Sequence, residues 1–520
     1  MSNLDLLIVG SGISGLSAAI SAKLSGARVE VITKSIPTKC NSVMAQGGIN
    51  AALGNVEEDS VESHIKDTLK ASHNLANKEM VELLCSNARG SIEFLEQIGL
   101  AFSRIDGAKS AIGSIAQRKL GGASSKRACY AQDYTGLKIL HTLLDYTLNL
   151  DIEISEGLFL IDLIKNSKGE VCGVLAYNFN SGRVESIYAK RVLLATGGFG
   201  SIYSKNTNSL GSSGDGIVAV LKAGGELSNL EFVQFHPTTL KVSNILISES
   251  ARGEGGYLVD SNGERFIDEL APRDVVAKEI FDKVSANESV YLDLRHIKDI
   301  EKLMPQELKL IKTYAKVDAK SELVEIEPAV HYTMGGISVD SNFRAKNLSG
   351  VYAVGECSNS NVHGANRLGG NSLLEAVTFG RLAAKSALDI EGSSIEEQDI
   401  NYKLPLSSSG DNFAIFKAKD KLSSLLFNSV GIIRDEQRLQ EAKESIDSLS
   451  IESLSATGDS RYNTNLVELL ELKNSNILAK ALIELALWRR ESRGAHIRAD
   501  YPETDTNFAK SSIITLEDLA

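Results

Sequence analysis

The chain has 520 residues, of which 43% are hydrophobic and 23% are charged, and its formal net charge at pH 7 is −12. This length allows about three domains with an ample core. The acidic balance argues against a nucleic-acid partner, because nucleic acids select basic surfaces. No apolar run approaches the ~20 residues of a membrane span, and the first residues follow a strand pattern where a signal peptide would be basic. We therefore expect a cytoplasmic protein without a membrane span.

The five cysteines are scattered along the chain and none belongs to a C-x-x-C pair. Zinc and iron–sulfur sites require clustered ligands, so this spacing argues against a metal site or cluster held by this chain. Reduced, buried thiols are the expected state of these side chains.

The first motif is a glycine-rich turn between an apolar strand and an Ala-rich helix. The run LDLLIVG leads into Gly10, Gly12 and Gly15, which have the spacing G-x-G-x-x-G. The first glycine permits a tight turn, the second lets the backbone approach a pyrophosphate, and the third lets the helix pack on the strand. The next strand, ARVEVITK, ends in Thr33 and Lys34 where an NAD site would offer an acid to the ribose. This departure favours FAD.

Two further apolar strands that end in glycine turns, RVLLATGGFG at 191–200 and SGVYAVGECS at 349–358, indicate that the first domain is interrupted by an insert. From about residue 412, after LPLSSSGDN, the apolar spacing becomes helical. Helix and strand patterns alternate before that point, which is typical of an α/β fold. The predicted domains are an FAD-binding domain in two parts, 1–225 and 346–403, a capping domain at 226–345, and a C-terminal helical domain at 412–520.

Four side chains that can hold carboxylates lie in and around the predicted insert. His236 lies in QFHPT, Arg273 in APRD, His331 in HYTMGG and Arg367 in HGANRLGG. Arginine binds a carboxylate through two parallel hydrogen bonds, so this set could hold a small molecule with two carboxylates. Because the two histidines mark the ends of the insert, we expect the site in the cleft between the domains.

The chain resembles the flavoprotein subunit of succinate dehydrogenase and fumarate reductase. The resemblance rests on CNSVMAQGGINAALGNVEEDSVESHIKDTLKAS at 40–72, on GERF, APRDVVAKEI and GANRLGGNSLLEA, and on YNTNLVELLELKN and ESRGAH near the end. L-aspartate oxidase is a sister family with the same fold. The resemblance implies a Rossmann-like FAD-binding domain interrupted by an α+β capping domain and followed by a C-terminal helical domain. It also implies interconversion of fumarate and succinate by hydride transfer at the flavin N5.

The resemblance further implies roles for individual residues. Arg273 matches the family's proton donor, and Glu249 and Arg252 match the pair that delivers protons to it. Residues that match the substrate-binding positions are His236, Ser248, His331, Arg367 and Leu120. The expected cofactor-binding residues are the three glycines of the first motif and nine residues that match family positions. They are Gly10, Gly12, Gly15, Thr33, Lys34, Ser42, Gln46, Gly47, Gly48, Asp215, Glu356 and Ser372.

Two departures from the family pattern bear on the cofactor and the substrate. Asn41 stands where members with covalent FAD have histidine, so we expect FAD to be bound non-covalently. Leu120 stands where aspartate oxidases place a Glu that faces the substrate amine, and without that carboxylate an ammonium would be buried unpaired. The L-aspartate oxidase reaction, which forms iminoaspartate for NAD biosynthesis, stays open as the alternative. An idle FAD-binding scaffold is a third hypothesis, and the intact set of four side chains argues against it.

The resemblance also predicts partners. A small dicarboxylate is the expected substrate, and an iron–sulfur subunit is the possible protein partner. The chain continues only a short distance beyond Pro502, so we expect the surface that docks such a subunit to be reduced. Through partner subunits the protein could lie peripherally on the inner face of the cell membrane.

Overall fold

The structure, a computed structural model, describes residues 4–105 and 114–519. The helices of these residues are α1 (Ile13–Leu24), α2 (Val61–Ala71), α3 (Lys78–Ser86), α4 (Ala88–Gln97), α5 (Thr135–Asn149), α6 (Asp215–Lys222), α7 (Glu249–Gly253), α8 (Arg273–Ser285), α9 (Ile300–Leu303), α10 (Pro305–Tyr314), α11 (Asn371–Leu388), α12 (Asn412–Ser429), α13 (Glu436–Ser448) and α14 (Thr464–Trp488). The strands are β1 (Leu6–Val9), β2 (Val29–Thr33), β3 (Ile49–Asn50), β4 (Gln117–Arg118), β5 (Ala128–Cys129), β6 (Glu153–Glu156), β7 (Leu158–Lys165), β8 (Val171–Asn178), β9 (Arg183–Tyr188), β10 (Val192–Leu194), β11 (Leu227–Ser228), β12 (Val233–Leu240), β13 (Tyr257–Val259), β14 (Val290–Asp293), β15 (Val324–Thr333), β16 (Gly336–Ser338), β17 (Val351–Ala353), β18 (Ser358–Asn359), β19 (Ile433–Arg434), β20 (Ile497–Arg498) and β21 (Ile513–Ile514).

The central sheet has the strand order β17-β10-β1-β2-β6 and all its pairs are parallel. Strand β1 is buried at every position, as expected of a parallel strand covered on both faces. Strands β10 and β17 are neighbours in this sheet although 156 residues of chain, from Ala195 to Gly350, lie between them in sequence. The predicted fold class, an interrupted Rossmann-like domain, is therefore confirmed.

The inserted segment forms its own antiparallel sheet, in the order β12-β15-β14-β13. Helices α8 and α10 contribute to a separate apolar cluster on this sheet, which includes Leu258, Ile280, Leu292, Ile311 and Ile326. A second hydrophobic core allows the insert to pack as a unit against the FAD-binding part. The boundaries predicted at 226 and 345 stay predictions.

The C-terminal segment begins with helices whose starts are capped as the sequence favours. Asp411, Asp435 and Asn463 each accept backbone N–H bonds at the first turn of α12, α13 and α14. The last α-helix of the described residues ends at Trp488, and residues 489–519 form short strands and single 3₁₀ turns. The helical pattern thus covers the first part of the predicted segment, and the predicted limits at residues 1 and 520 lie outside the described residues.

The described residues contain neither a helix able to span a membrane nor a cluster of side chains able to hold a metal ion. Across residues 4–105 and 114–519, no helix is both long enough and apolar enough to cross a membrane. Within the same ranges, no group of three or more His, Cys, Asp or Glu side chains is arranged to hold a metal ion.

Candidate active site

The glycine-rich turn joins β1 to α1 under close packing. Gly10 has φ +115°, a conformation that L side chains rarely adopt, and a Cβ there would lie 2.2 Å from the Ala195 carbonyl oxygen. A Cβ on Gly15 would lie 1.9 Å from the Gly10 carbonyl oxygen. The turn therefore tolerates only glycine at these positions, and the start of α1 is held directly against the strand end.

A single cavity of about 780 Å³ extends from this turn to the inserted segment. Its volume is that of a small-molecule binding site. Of the residues predicted to bind the cofactor, its lining includes Gly10, Gly12, Thr33, Lys34, Ser42, Gln46, Gly47, Gly48, Asp215, Glu356 and Ser372. Of the predicted substrate-binding and catalytic residues, it includes Leu120, His236, Ser248, Glu249, Arg273, His331 and Arg367. Gly15 and Arg252 do not line the cavity and contact residues that do.

We call the part lined by Gly10, Gly12 and Thr33 the glycine end, and the part lined by Arg273 and Arg367 the arginine end. The two ends are parts of one cavity. A ligand at the arginine end is therefore not separated by protein from a cofactor at the glycine end.

The polar atoms of the cavity wall fit a bound dinucleotide. Gln46 Oε1 and Thr196 Oγ1 are buried and have no hydrogen-bond partner within the part of the chain that the structure describes. A buried polar atom without a partner costs free energy, so both atoms are suited to a polar ligand. The Glu356 carboxyl, which is half-buried in the cavity wall, accepts a hydrogen bond from Thr333 N at 3.1 Å, and burial raises its pKa to about 7.

Lys34, which was predicted to contact the cofactor, is bound by two carboxylates in the wall of the cavity. Its Nζ lies 2.5 Å from Asp215 Oδ2 and 2.8 Å from Glu471 Oε1, and it donates to Ser213 Oγ at 2.9 Å. Burial lowers the pKa of Lys34, but the two carboxylates outweigh it and the net pKa is raised. Because Glu471 lies on α14, the C-terminal segment forms part of the cofactor cavity.

At the arginine end, two buried guanidinium groups donate to the same acceptor oxygen. Arg273 Nη1 and Arg367 Nη2 each donate to Gln234 Oε1 at 3.0 Å. Arg367 also donates to Ser372 Oγ at 3.1 Å and lies 4.2 Å from the centre of the Tyr332 ring. Burial and the nearby charge of Arg273 lower the pKa of Arg367 to about 10. Two like charges this close favour an anion between them.

Two imidazoles lie beside the guanidinium groups. The rings of His236 and His331 have centroids 5.0 Å apart. Burial lowers the pKa of both rings well below the ordinary value, and Arg273 lowers it further, so both are neutral at pH 7. His236 Nδ1 lies 3.2 Å from the Thr238 carbonyl oxygen and 3.3 Å from Thr238 N, and Thr207 Oγ1 lies 2.8 Å from His331 Nδ1. If each Nδ1 accepts from its threonine, each Nε2–H is free to donate to a ligand.

A buried chain of charges leads away from Arg273. Its Nη2 lies 2.8 Å from Glu249 Oε2, and the other oxygen of Glu249 lies 3.3 Å from Arg252 Nη2. Burial raises the pKa of the Glu249 carboxyl, but the two guanidinium groups outweigh it and the net pKa is lowered. Arg252 in turn donates to the Glu269 carbonyl oxygen. The three predicted residues therefore form one continuous series of contacts.

The two positions that depart from the family pattern both line the cavity. Asn41 donates to Asn208 Oδ1 at 2.6 Å and accepts from Ser209 N at 2.5 Å. Leu120 is buried, and its Cδ1 would lie 3.5 Å from a Cβ on Gly47. The cavity wall is therefore an amide at the first position and apolar at the second.

Several residues of the site were not predicted from the sequence. Gln234 could have been found, because strand alternation places it on the same face of β12 as His236. Thr207 lies in no motif. Glu471 lies in YNTNLVELLELKN, but nothing in that run indicates a contact with Lys34. Both residues reach the cavity only through the tertiary fold. Tyr332 follows His331 directly, and its place against Arg367 is likewise a tertiary contact.

Fold and cavity together define a flavoprotein with a dinucleotide site joined to an anion site. The family model for FAD binding domains matches residues 5–373, and that for the fumarate reductase flavoprotein C-terminus matches 419–519. The chain is 35% identical to the succinate dehydrogenase flavoprotein subunit of Coxiella burnetii, over 98% of this chain and 94% of that protein. It is also 35% identical to an uncharacterized FAD-dependent oxidoreductase of Methanocaldococcus jannaschii, over 98% and 96% of the two chains.

Solved structures agree with these sequence matches. The flavoprotein of Escherichia coli quinol fumarate reductase has a TM-score of 0.91 at 32% identity and covers 99% of this chain and 94% of its own. Mycobacterium smegmatis Sdh1 has a TM-score of 0.84 at 32% identity, over 98% and 90% of the two chains. The chain belongs to the succinate dehydrogenase/fumarate reductase flavoprotein family, and it is an FAD-dependent oxidoreductase.

Proposed function

We propose that this flavoprotein interconverts fumarate and succinate, with FAD held non-covalently and Arg273 as the proton donor. The observation that carries the proposal is the buried guanidinium of Arg367. Within residues 4–105 and 114–519 it has no carboxylate within ion-pair distance, and its Nε has no hydrogen-bond partner. A buried cation without a counter-ion is costly, so the site is built for an anionic ligand.

The arginine end has donors for two carboxylates. Arg367 can bind one carboxylate through its fork of N–H groups, with His331 beside it. His236 and Ser248, which both line the cavity, can bind the other. A C4 dicarboxylate would then span the site, with its central carbons within reach of Arg273.

In the direction of fumarate reduction, Arg273 would give a proton to one alkene carbon. FAD, when bound, supplies the hydride from the flavin N5 to the other carbon. Carbanion character at the protonated carbon is stabilised by the fixed guanidinium, and this stabilisation is greatest in the transition state. Glu249 contacts Arg273 and Arg252 through different oxygens, so a proton lost from Arg273 can be replaced along that chain. Succinate oxidation uses the same groups in reverse.

The apolar Leu120 supports a substrate without an amine. An ammonium group at that side of the cavity would be buried against a leucine with no carboxylate supplied by this position. The L-aspartate oxidase reaction is for this reason the less favoured alternative.

Asn41 supports non-covalent FAD. An amide side chain has no nucleophilic ring nitrogen with which to form a histidyl-flavin bond. Acid precipitation should therefore release all the flavin into the supernatant. Flavin retained in the protein pellet would contradict this part of the proposal.

The relatives named flavoprotein subunits support the proposal that this chain also works as one subunit of a complex. An iron–sulfur subunit would carry electrons between FAD and a further carrier, and such a complex could lie peripherally on the inner face of the membrane. Purification of a tagged chain from its own cells, followed by electron paramagnetic resonance for iron–sulfur signals, tests this partner.

The reaction is tested with two substrates on one preparation. Flavin reduced anaerobically with dithionite should be reoxidised by fumarate, whereas L-aspartate in air should yield no peroxide. Flavin that stays reduced with fumarate, together with peroxide from L-aspartate, would reject the proposal in favour of the alternative.

The role of Arg367 is tested by Arg367→Met, with the exposed Arg461→Met as its control. Loss of a buried charged hydrogen bond to the substrate costs about 2–5 kcal/mol, so fumarate affinity should fall roughly 30-fold or more. Arg461 is exposed, and its replacement should leave the KM for fumarate unchanged. Equal KM values for the two variants would remove the main support for the proposal.

A further inference from the structure

Glu307 is a buried carboxylic acid one contact behind the arginine end. It has no exposed surface and does not line the cavity. Its Oε1 accepts a hydrogen bond at 2.8 Å from the backbone N–H of Ser248, which does line the cavity. Its Oε2 has no partner in the described part of the chain. Neither the glycine turn nor the proton chain through Glu249 uses this carboxyl group.

Glu307 lies in the first turn of α10, and Asp133 holds that turn from across the cleft. Asp133 Oδ2, from the FAD-binding part, accepts Gln306 N at 2.7 Å and Glu307 N at 3.1 Å. Beside them Arg118 lies 3.6 Å from the centre of the Tyr130 ring. The same guanidinium lies 3.7 Å from a Glu254 oxygen.

Carboxyl groups outnumber free guanidinium groups around Glu307. One guanidinium, Arg118, faces the three carboxyl groups of Asp133, Glu254 and Glu307, while Arg252 and Arg273 on the cavity side are already paired with Glu249. Burial is the main cause of the raised pKa of Glu307, which is about 8; the charge of Asp133 adds to the rise, and the Ser248 N–H and Arg118 oppose it. At neutral pH the group therefore carries a proton.

Residues near Glu307 also carry buried polar atoms that have no hydrogen-bond partner among the described residues. They are Arg118 Nε and Nη1, Asp133 Oδ1 and Gln306 Oε1. A buried polar region of this kind is stable only when its net charge is small. Ionisation of Glu307 would add a negative charge next to the backbone of a residue that faces the ligand.

We propose that Glu307 is a positioning residue of the anion site: its carboxyl group fixes the Ser248 backbone, and it must be protonated for a dianionic ligand to bind tightly. This inference rests on the proposed dicarboxylate function. An ionised Glu307 would repel the ligand through a poorly screened interior, and by linkage a bound dianion would hold the proton on Glu307.

The test compares the wild type with Glu307→Gln, which keeps the acceptor for Ser248 N–H and cannot ionise. Malonate binding to the flavin-loaded protein is followed by the change in flavin absorbance from pH 6 to pH 9.5. Wild-type affinity should fall about tenfold per pH unit above about pH 8, and the variant should lack this fall. The same pH effect is expected in the KM for fumarate rather than in kcat. Glu279→Gln, an exposed position on α8, should follow the wild type.

A second variant, Glu307→Leu, leaves the Ser248 N–H without its acceptor and should weaken malonate at every pH. The inference fails if Glu307→Gln shows the wild-type pH dependence, or if Glu307→Leu binds malonate as tightly as the wild type. A wild-type protein that neither binds malonate nor oxidises its reduced flavin with fumarate overturns the proposed function and this inference together. Malonate binding with an unchanged pH profile in the variant overturns the inference alone.

Discussion

The glycine end and the arginine end of the cavity are built in different ways. The glycine end depends on backbone shape, and Gly10, Gly12 and Gly15 lie within six positions of the chain. The arginine end depends on side-chain charge, and its groups come from β12, α8, β15 and the loop before α11. The contrast indicates that the glycine turn is a local property of the chain, whereas substrate chemistry depends on how the insert packs against the FAD-binding part.

The largest expected effect is on kcat, from a change at Arg273 that should leave cofactor binding intact. Arg273→Gln should lower kcat for fumarate reduction by about 10³-fold, since it removes both the acid and the fixed cation. The flavin content should stay at the wild-type level, because Arg273 lies at the arginine end. Steady-state kinetics and the ratio of flavin to protein absorbance measure both. Lys278→Gln, at a half-buried lysine of the same helix that pairs with Asp282, should leave kcat unchanged. A variant of Arg273 that retains most activity would refute its assigned role.

The next effect tests the glycine end alone. Gly15→Ala places a Cβ 1.9 Å from the Gly10 carbonyl oxygen, and the displaced helix should cost about 3 kcal/mol and most of the bound flavin. Gly90→Ala, on α4 where a Cβ meets no atom within 4 Å, should be neutral or stabilising by up to about 1 kcal/mol. Flavin content and thermal unfolding distinguish the two variants. Wild-type flavin content in Gly15→Ala would show that the close packing of α1 is dispensable.

The smallest effect concerns pH and stability at the arginine end. The folded pKa of Glu307, about 8, lies above its ordinary value of 4.5. Its contribution to stability is therefore complete below about pH 4.5 and is lost as the pH rises to about 8. The amide side chain introduced by Glu307→Gln cannot ionise, so the melting temperature of this variant should fall less than that of the wild type as the pH rises, and most of the difference should develop between about pH 5 and about pH 8. Parallel melting curves for the two proteins would indicate that Glu307 does not ionise in this range.

Much of the fold could be predicted because its signals are local. The strands β1, β10 and β17 are apolar runs that end in glycine turns, and the structure places all three side by side in one parallel sheet. Most of the predicted site residues also line the cavity, since they lie in motifs whose neighbours share a strand face or a turn. The helical prediction was less accurate after Trp488, where residues are held by tertiary contacts such as the buried pair Arg489–Glu231.

The sequence by itself determined the FAD-binding turn, the interrupted α/β fold and the identity of the paired arginines and histidines, because these depend on residue type and short-range spacing. Only the tertiary structure decided that Arg273 and Arg367 share the Gln234 oxygen, that Glu471 reaches Lys34 from α14, and that Glu307 lies behind Ser248. Each of these contacts joins segments far apart in the chain. Their free energy depends on burial and distance, which no local pattern of residues specifies.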